Sequence, residues 1–216
     1  MYALRRGVYH PAMSSDSRVG AFVLVGGRSS RMGCDKAMLK VGGQALLERT
    51  IQCARTIAAE VAVVASLSQV RAAQFAGCGT IVEDTYSDCG PLGGIHAALR
   101  GSQRDLNLVL AVDLPGLTAE FLRFLVNTAS QQHTAHAVVP EYDGRWHPLC
   151  AVYRREFAEA AEDALKLRRY RIDRLFEIVP THKITHAELE AAGFAAAIFR
   201  NVNTMADFEL AKRAHD

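Results

Sequence analysis

From Gly20 onward the sequence alternates short, nearly all-apolar runs with stretches of helical periodicity, and that alternation leaves few folds open to it. Ala21–Val25 (AFVLV) has no polar residue. Val61–Ala65 and Thr80–Val82 continue the series, and Leu106–Val112 (LNLVLAV) is the clearest strand signal in the chain. Such runs suit strands covered on both faces, the habit of parallel sheets. Between them, Ala45–Ala58 sets Leu46, Leu47, Ile51, Ala54 and Ala58 at helical spacing. Ser68–Ala76 reads as a short helix stopped by Gly77, and Gly93–Arg100 as one closing at Gly101. Thr118 is placed to cap a helix running to about Gln131. The expected fold is α/β, a three-layer α/β/α Rossmann-like arrangement with a mainly parallel sheet. Ligands of such sheets bind outside the carboxyl ends of the strands, where Gly26–Lys36 and Asp113-Leu-Pro115 fall.

The second half changes character. Ala137–Pro140 and His147–Tyr153 flank Asp143-Gly144, a hairpin signal that predicts a small antiparallel excursion. Glu156–Leu167 and Ile172–Ile178 read as helices, and Thr185 with Glu188 forms a capping box for a helix ending at Gly193. Ala196–Val202 reads as a last strand, and Thr204 with Asp207 starts a C-terminal helix. No repeat, low-complexity tract or linker divides residues 19–216, which read as one domain. Residues 1–18 (MYALRRGVYHPAMSSDSR) read as a flexible tail: Arg5-Arg6 is not followed by an apolar core of signal-peptide length.

Charge and cysteine content exclude several functions. A net charge of +2 gives no global basic field for nucleic acid. The longest apolar stretch, around Val19 to Val25, falls well short of the roughly 18 residues of a membrane span. Five cysteines with no CxxC spacing suit reduced thiols, and the expected location is the cytoplasm.

Gly26-Gly-Arg-Ser-Ser-Arg-Met-Gly-Cys-Asp-Lys36 follows a buried strand and is long for a connection to a helix. Its glycines let backbone N–H groups turn toward an anion, and Arg28, Arg31 and Lys36 add positive charge. A phosphate chain meets both requirements; an exposed Gly/Ser loop with incidental charges is the plainer reading. It is neither a Walker A loop nor a dinucleotide GxGxxG pattern. Asp113 ends the strongest strand, where a carboxylate can hold Mg²⁺ beside phosphates or simply cap the following turn.

Leu24–Leu39 (LVGGRSSRMGCDKAML) resembles the signature loop of nucleotidyltransferases, and most closely that of the molybdenum cofactor guanylyltransferases, L-A-G-G-x-S-x-R-M-G-x-D-K. Val25 stands where that loop has Ala. The resemblance continues, in family order, through Glu83-Asp84, Gly90-Pro91-Leu92-Gly93-Gly94-Ile95, Asp113-Leu-Pro115, His147-Pro-Leu149 and Asn201-Val-Asn-Thr204. It implies a nucleotidyltransferase domain that moves GMP from GTP to the terminal phosphate of molybdopterin and releases pyrophosphate. It further implies that Leu24, Val25, Gly26, Gly27, Arg31, Lys36, Asp84 and Asp113 bind the nucleotide, with Lys36, Arg31 and Asp113 catalytic and Asp113 holding Mg²⁺. Gly90, Pro91, Leu92, Gly93, His147, Asn201 and Asn203 fall on the acceptor side. Partners would be GTP, molybdopterin and, transiently, proteins that hand the pterin on. Met205 replaces the proline of the family's N-V-N-T-P segment.

Other readings stay open on the residues alone. The acceptor could be another phosphorylated molecule, or the base cytosine, although related cytidylyltransferases carry L-A-A-G where this chain has Gly26-Gly27. A non-catalytic nucleotide-binding module would be expected to lose Asp113 or Lys36, and both are present. Lys166, Arg168, Arg169, Arg171 and Arg174 form a basic cluster that suits either docking of a phosphate or partner, or a solvated helix face. His182 and His186 stand four apart without the further ligands of a zinc site, and Cys34 has no catalytic base in sequence beside it.

Overall fold

The strand that leads into the glycine-rich loop lies at the centre of the parallel half of the sheet. In the computed structural model, which describes residues 16–25, 36–71, 75, 77–86 and 88–214, β1 spans Asp16–Leu24 and its last six residues are buried. It therefore takes in 16–18, which the sequence reading put in the tail. A two-residue hairpin follows, β2 (Lys40–Val41) and β3 (Gln44–Ala45), and then α1 (Leu46–Arg55). Next come β4 (Ala58–Ser66), α2 (Leu67–Arg71), β5 (Thr80–Asp84), α3 (Pro91–Gly101) and β6 (Leu106–Ala111). Of the expected helix over 68–76, residues 72–74 and 76 lie outside the described ones. α4 (Ala119–Gln131) begins where expected, with the Thr118 hydroxyl accepting from the N–H of Phe121.

β1 pairs in parallel with β4 on one side and β6 on the other, and β4 pairs in parallel with β5. The chain thus winds outward from β1 to β5 and returns to the other side of β1. The crevice between the ends of β1 and β6 is the topological switch point of the sheet.

The hairpin that follows is β7 (Ala137–Tyr142) and β8 (Arg145–Trp146), and β9 (Cys150–Tyr153) then pairs antiparallel with both β6 and β7. Asp143 and Gly144 take φ of 51° and 71°, the positive pair of a type I′ turn. The single strand expected over His147–Tyr153 is broken at Pro148, which has no N–H to donate. α5 (Phe157–Lys166) and α6 (Ile172–Leu175) precede an unforeseen edge strand, β10 (Thr181–Ile184), parallel to β7. α7 (His186–Ala191) and α8 (Met205–Arg213) both start at capping boxes, on Thr185 and Thr204.

One expectation is overturned. Ala196–Val202 forms no strand; Ala196–Phe199 is a 3₁₀ turn. Both sides of β6 are taken, by β1 and β9, and the segment packs instead against Gly116 in the loop after β6.

Alternation along β1 builds the two faces. Phe22 and Leu24 pack with Leu92, Ile95 and Leu99 of α3 and Phe157 of α5. Val23 and Val25 pack with Leu46, Leu47 and Ile51 of α1 on the other side. Burying each such side chain is worth about 1.5–3 kcal/mol, so β1 is held far more firmly than a surface strand. The polar residue in β6, Asn107, is satisfied in the core: its Oδ1 accepts from Ser102 and its Nδ2 donates to the carbonyls of Arg104 and Tyr153 at 3.2 Å.

Candidate active site

Three separate chain segments meet beyond the ends of β1 and β6. Lys36 opens the 3₁₀ turn Lys36–Met38, whose Ala37 is fully buried and fixes where the lysine leaves the backbone. Asp113 lies just past β6, and its carbonyl accepts from the N–H of Val202 at 2.9 Å. Val202 is buried and anchors the third segment, while Asn201 and Asn203 on either side of it are exposed. A further close approach locks that segment in place. A Cβ on Gly116 would stand 2.3 Å from the carbonyl oxygen of Ala197, so only glycine lets the loop after β6 touch the 3₁₀ turn.

The side chains then converge. The Lys36 ammonium donates to Asn203 Oδ1 at 2.8 Å and lies 3.6 Å from Asp113 Oδ2. Asp113 Oδ1 is buried and has no hydrogen-bond partner among the described residues. Burial pushes the Asp113 carboxyl above its ordinary value, and the neighbouring Lys36 charge pulls it part of the way back. A buried carboxylate oxygen left open beside a phosphate-compatible cation suits a hard divalent ion, which takes oxygen ligands. The residues present therefore fit a metal at Asp113.

Asp84 ends β5 at the mouth of α3. Its Oδ1 accepts from the N–H of Tyr86 at 2.9 Å, and burial raises the carboxyl while that bond lowers it. Gly90 takes φ +66° as the N-cap, Pro91 is the first helical residue and Leu92 is fully buried. Gly93 leaves room for the acid: a Cβ there would be 2.9 Å from both Asp84 Oδ1 and the Tyr86 carbonyl. Strands β5, β4, β1 and β6 are neighbours in that order. Asp84 and Asp113 thus follow strands three spacings apart, about 14 Å across the sheet, a span suited to an extended nucleotide.

Of the other expected residues, Leu24 and Val25 are buried at the end of β1. Gly26, Gly27 and Arg31, with Arg28 and Cys34, lie outside the described residues. The His147 ring packs tilted against Phe199, centroids 4.3 Å apart, and Phe199 is close in sequence to Asn201. Burial lowers its pKa, favouring the neutral imidazole. Among the described residues Asn201 is not drawn into the Lys36 cluster. The basic cluster is largely self-paired: Arg171 with Asp173, Arg174 with Glu177 and Lys166 with Glu162. His186 sits between Asp143 and Glu190, each at 3.2 Å, rather than beside His182. Burial pushes the Cys53 thiol up to about 11 and Cys150 higher still, so neither is a thiolate near neutral pH.

Sequence reasoning missed two residues that build this site. Gly116 carried no motif, and Asp207 was visible only as the start of a helix.

The description "MobA-like NTP transferase domain" matches residues 21–184. The chain belongs to that family. It is 34% identical over 188 residues to the "Probable molybdenum cofactor guanylyltransferase" of Carboxydothermus hydrogenoformans, covering 87% of this chain and 91% of that one. Identity to the "Molybdenum cofactor guanylyltransferase" of Syntrophotalea carbinolica is 29%, covering 89% and 90%. The fold matches the molybdopterin-guanine dinucleotide biosynthesis protein A of Archaeoglobus fulgidus with a TM-score of 0.79, at 24% identity, over 90% of this chain and 97% of that one. It also matches 2-C-methyl-D-erythritol 4-phosphate cytidylyltransferase of Thermus thermophilus with a TM-score of 0.63, at 20% identity, over 89% and 96%. The three-layer fold is thus that of NTP transferases. Among the described residues no helix is long and apolar enough to cross a membrane.

Proposed function

We propose that this chain transfers GMP from GTP to the terminal phosphate of molybdopterin, giving a guanine dinucleotide and pyrophosphate. The observation that carries the reading is the Lys36–Asn203–Asp113 cluster at the switch point of an NTP transferase fold.

An acceptor phosphate oxygen attacks the α-phosphorus of GTP; the bond to the bridging α–β oxygen breaks, and pyrophosphate takes its electron pair. Nucleophile and electrophile are both anionic, so charge neutralisation and alignment dominate the catalysis. Lys36 neutralises charge at the phosphates, held for that task by Asn203. Mg²⁺ on Asp113 would supply further neutralisation of the triphosphate. Asp84 meets the nucleoside at the other end of the crevice, with Leu24 and Val25 forming its floor; by resemblance, Gly26, Gly27 and Arg31 also bind the nucleotide. His147, Asn201 and Asn203 face the acceptor, whereas Gly93, expected on that side, lies against Asp84. The expected setting is the cytoplasm, with transient hand-over of the pterin between proteins.

Incubation with α-labelled GTP, molybdopterin and Mg²⁺ tests the reading, with CTP, ATP and UTP in parallel. Label should enter the pterin from GTP and not from CTP. Transfer from CTP alone would overturn the base assignment; no transfer from any nucleotide would overturn the reaction.

A further inference from the structure

We propose that Asp207 is a positioning residue for the transfer, acting on Lys36 through Asn203; its catalytic consequence rests on the function proposed above. Asp207 is the third residue of α8, where a capping box needs only to reach back to the N-cap N–H. Here the carboxylate reaches further. Its Oδ2 accepts from the N–H of Thr204 at 2.8 Å, the Thr204 hydroxyl at 2.9 Å and the N–H of Asn203 at 3.0 Å. The N–H of Asp207 donates back to the Thr204 hydroxyl at 3.1 Å.

The bond to Asn203 is the informative one. It adds nothing to the cap, yet it fixes the backbone of the residue whose side chain holds Lys36 at 2.8 Å. Asn203 is exposed, so packing does not set its position. On one side the buried Val202 bonds to the Asp113 carbonyl, and on the other Asp207 holds the turn. The relay runs from the N-terminus of α8 to the phosphate-facing ammonium through Asn203. Three donors lower the Asp207 carboxyl from its ordinary value, keeping it an acceptor across the neutral range.

A double-mutant cycle separates this role from simple helix capping. Asp207→Ala, Asn203→Ala, the double variant and Asp207→Glu are compared by two readouts well below their melting temperatures. One is kcat and KM for GMP transfer. The other is labelling of Lys36 by pyridoxal 5′-phosphate with borohydride trapping, referenced to the exposed Lys166. Asp207→Ala and Asn203→Ala should each lower kcat by about tenfold, the loss of one hydrogen bond to a charged group, with KM for GTP moving less. Both should change Lys36 labelling in the same direction, the double variant should match either single, and Asp207→Glu should restore wild-type values. Undiminished effects of Asp207→Ala on the Asn203→Ala background, or unchanged Lys36 labelling, would overturn the proposal. Should Asp207→Ala fail to fold, Asp207→Asn takes its place in the cycle. A wild-type protein that transfers no GMP would sink the proposed function, while the labelling cycle would still decide the relay.

Discussion

Lys36 Nζ and Asn203 Oδ1 lie 2.8 Å apart although 167 residues separate them in the chain. The contact closes a ring of three segments, because Asn203 follows Val202, Val202 bonds to Asp113, and Asp113 faces Lys36. The lysine is thus held on two sides. Lys36→Ala should lower kcat/KM for GMP transfer by about 100- to 1000-fold, as removal of one preorganised donor typically does. Steady-state kinetics beside an unchanged circular dichroism spectrum would check it. A loss below tenfold would mean that other cations carry the phosphates.

Burial of the Asp113 carboxylate costs stability. The carboxyl is raised in the folded state, burial outweighing the attraction of Lys36. A raised acid contributes stability that is fully present below its unfolded value, near 3.9, and is lost as pH rises through its folded value. At neutral pH, without divalent ions, the charged Asp113 therefore weakens the fold. Asp113→Asn should melt higher than wild type at pH 7, each kcal/mol appearing as about 2–4 °C, and the gap should close as the pH falls toward 4. The same variant should lose GMP transfer and any stabilisation by Mg²⁺. A lower melting temperature at pH 7 would show that the pairing with Lys36 outweighs burial.

The parallel half of the fold was legible because its strands are apolar on both faces, a pattern with one comfortable home. The hairpin was legible from Asp143-Gly144, and three helix starts from Thr118, Thr185 and Thr204, because capping is local chemistry. What escaped depends on partners distant in sequence. Thr181–Ile184 becomes a strand only because β7 offers a free edge. Ala196–Val202 is held instead against Gly116, in the loop after β6. Lys36 and Asp113 could be named from residue type and position, and Asn203 from resemblance. Their mutual contact, and the service of Gly116 and Asp207 to it, depend on how the end of the sheet is crossed.

Gly93 provides a test at the other end of the crevice. A Cβ there would lie 2.9 Å from the Tyr86 carbonyl and 2.9 and 3.1 Å from the two Asp84 oxygens. Those contacts are too short, and the backbone carbonyl cannot rotate aside. Gly93→Ala gains up to about 1 kcal/mol of helix propensity yet must push Asp84 or the Tyr86 turn outward. GTP affinity should fall by about tenfold or more, with the melting temperature changed by only a few degrees. Isothermal titration with GTP checks this directly; unchanged affinity would place the nucleoside away from Asp84.

Met205 occupies the first position of α8, where the family segment N-V-N-T-P has its proline, and the helix forms without it. The two reciprocal bonds between Thr204 and Asp207 already fix the turn. Proline should nevertheless be accepted. The first helical N–H needs no intrahelical partner, and Thr204 at φ −130°, ψ 166° is already in the extended conformation a following proline demands. Met205 is 50% exposed, so little packing is forfeited. Met205→Pro should stabilise the protein by about 0.4–1 kcal/mol, mainly by narrowing the unfolded ensemble. That corresponds to a rise of roughly 1–4 °C in melting temperature. Because Asn203 is held from Val202 and Asp207 rather than from Met205, kcat should not change. A destabilised variant would show that the Met205 side chain or its N–H holds the segment, and that Asp207 does not fix the turn alone.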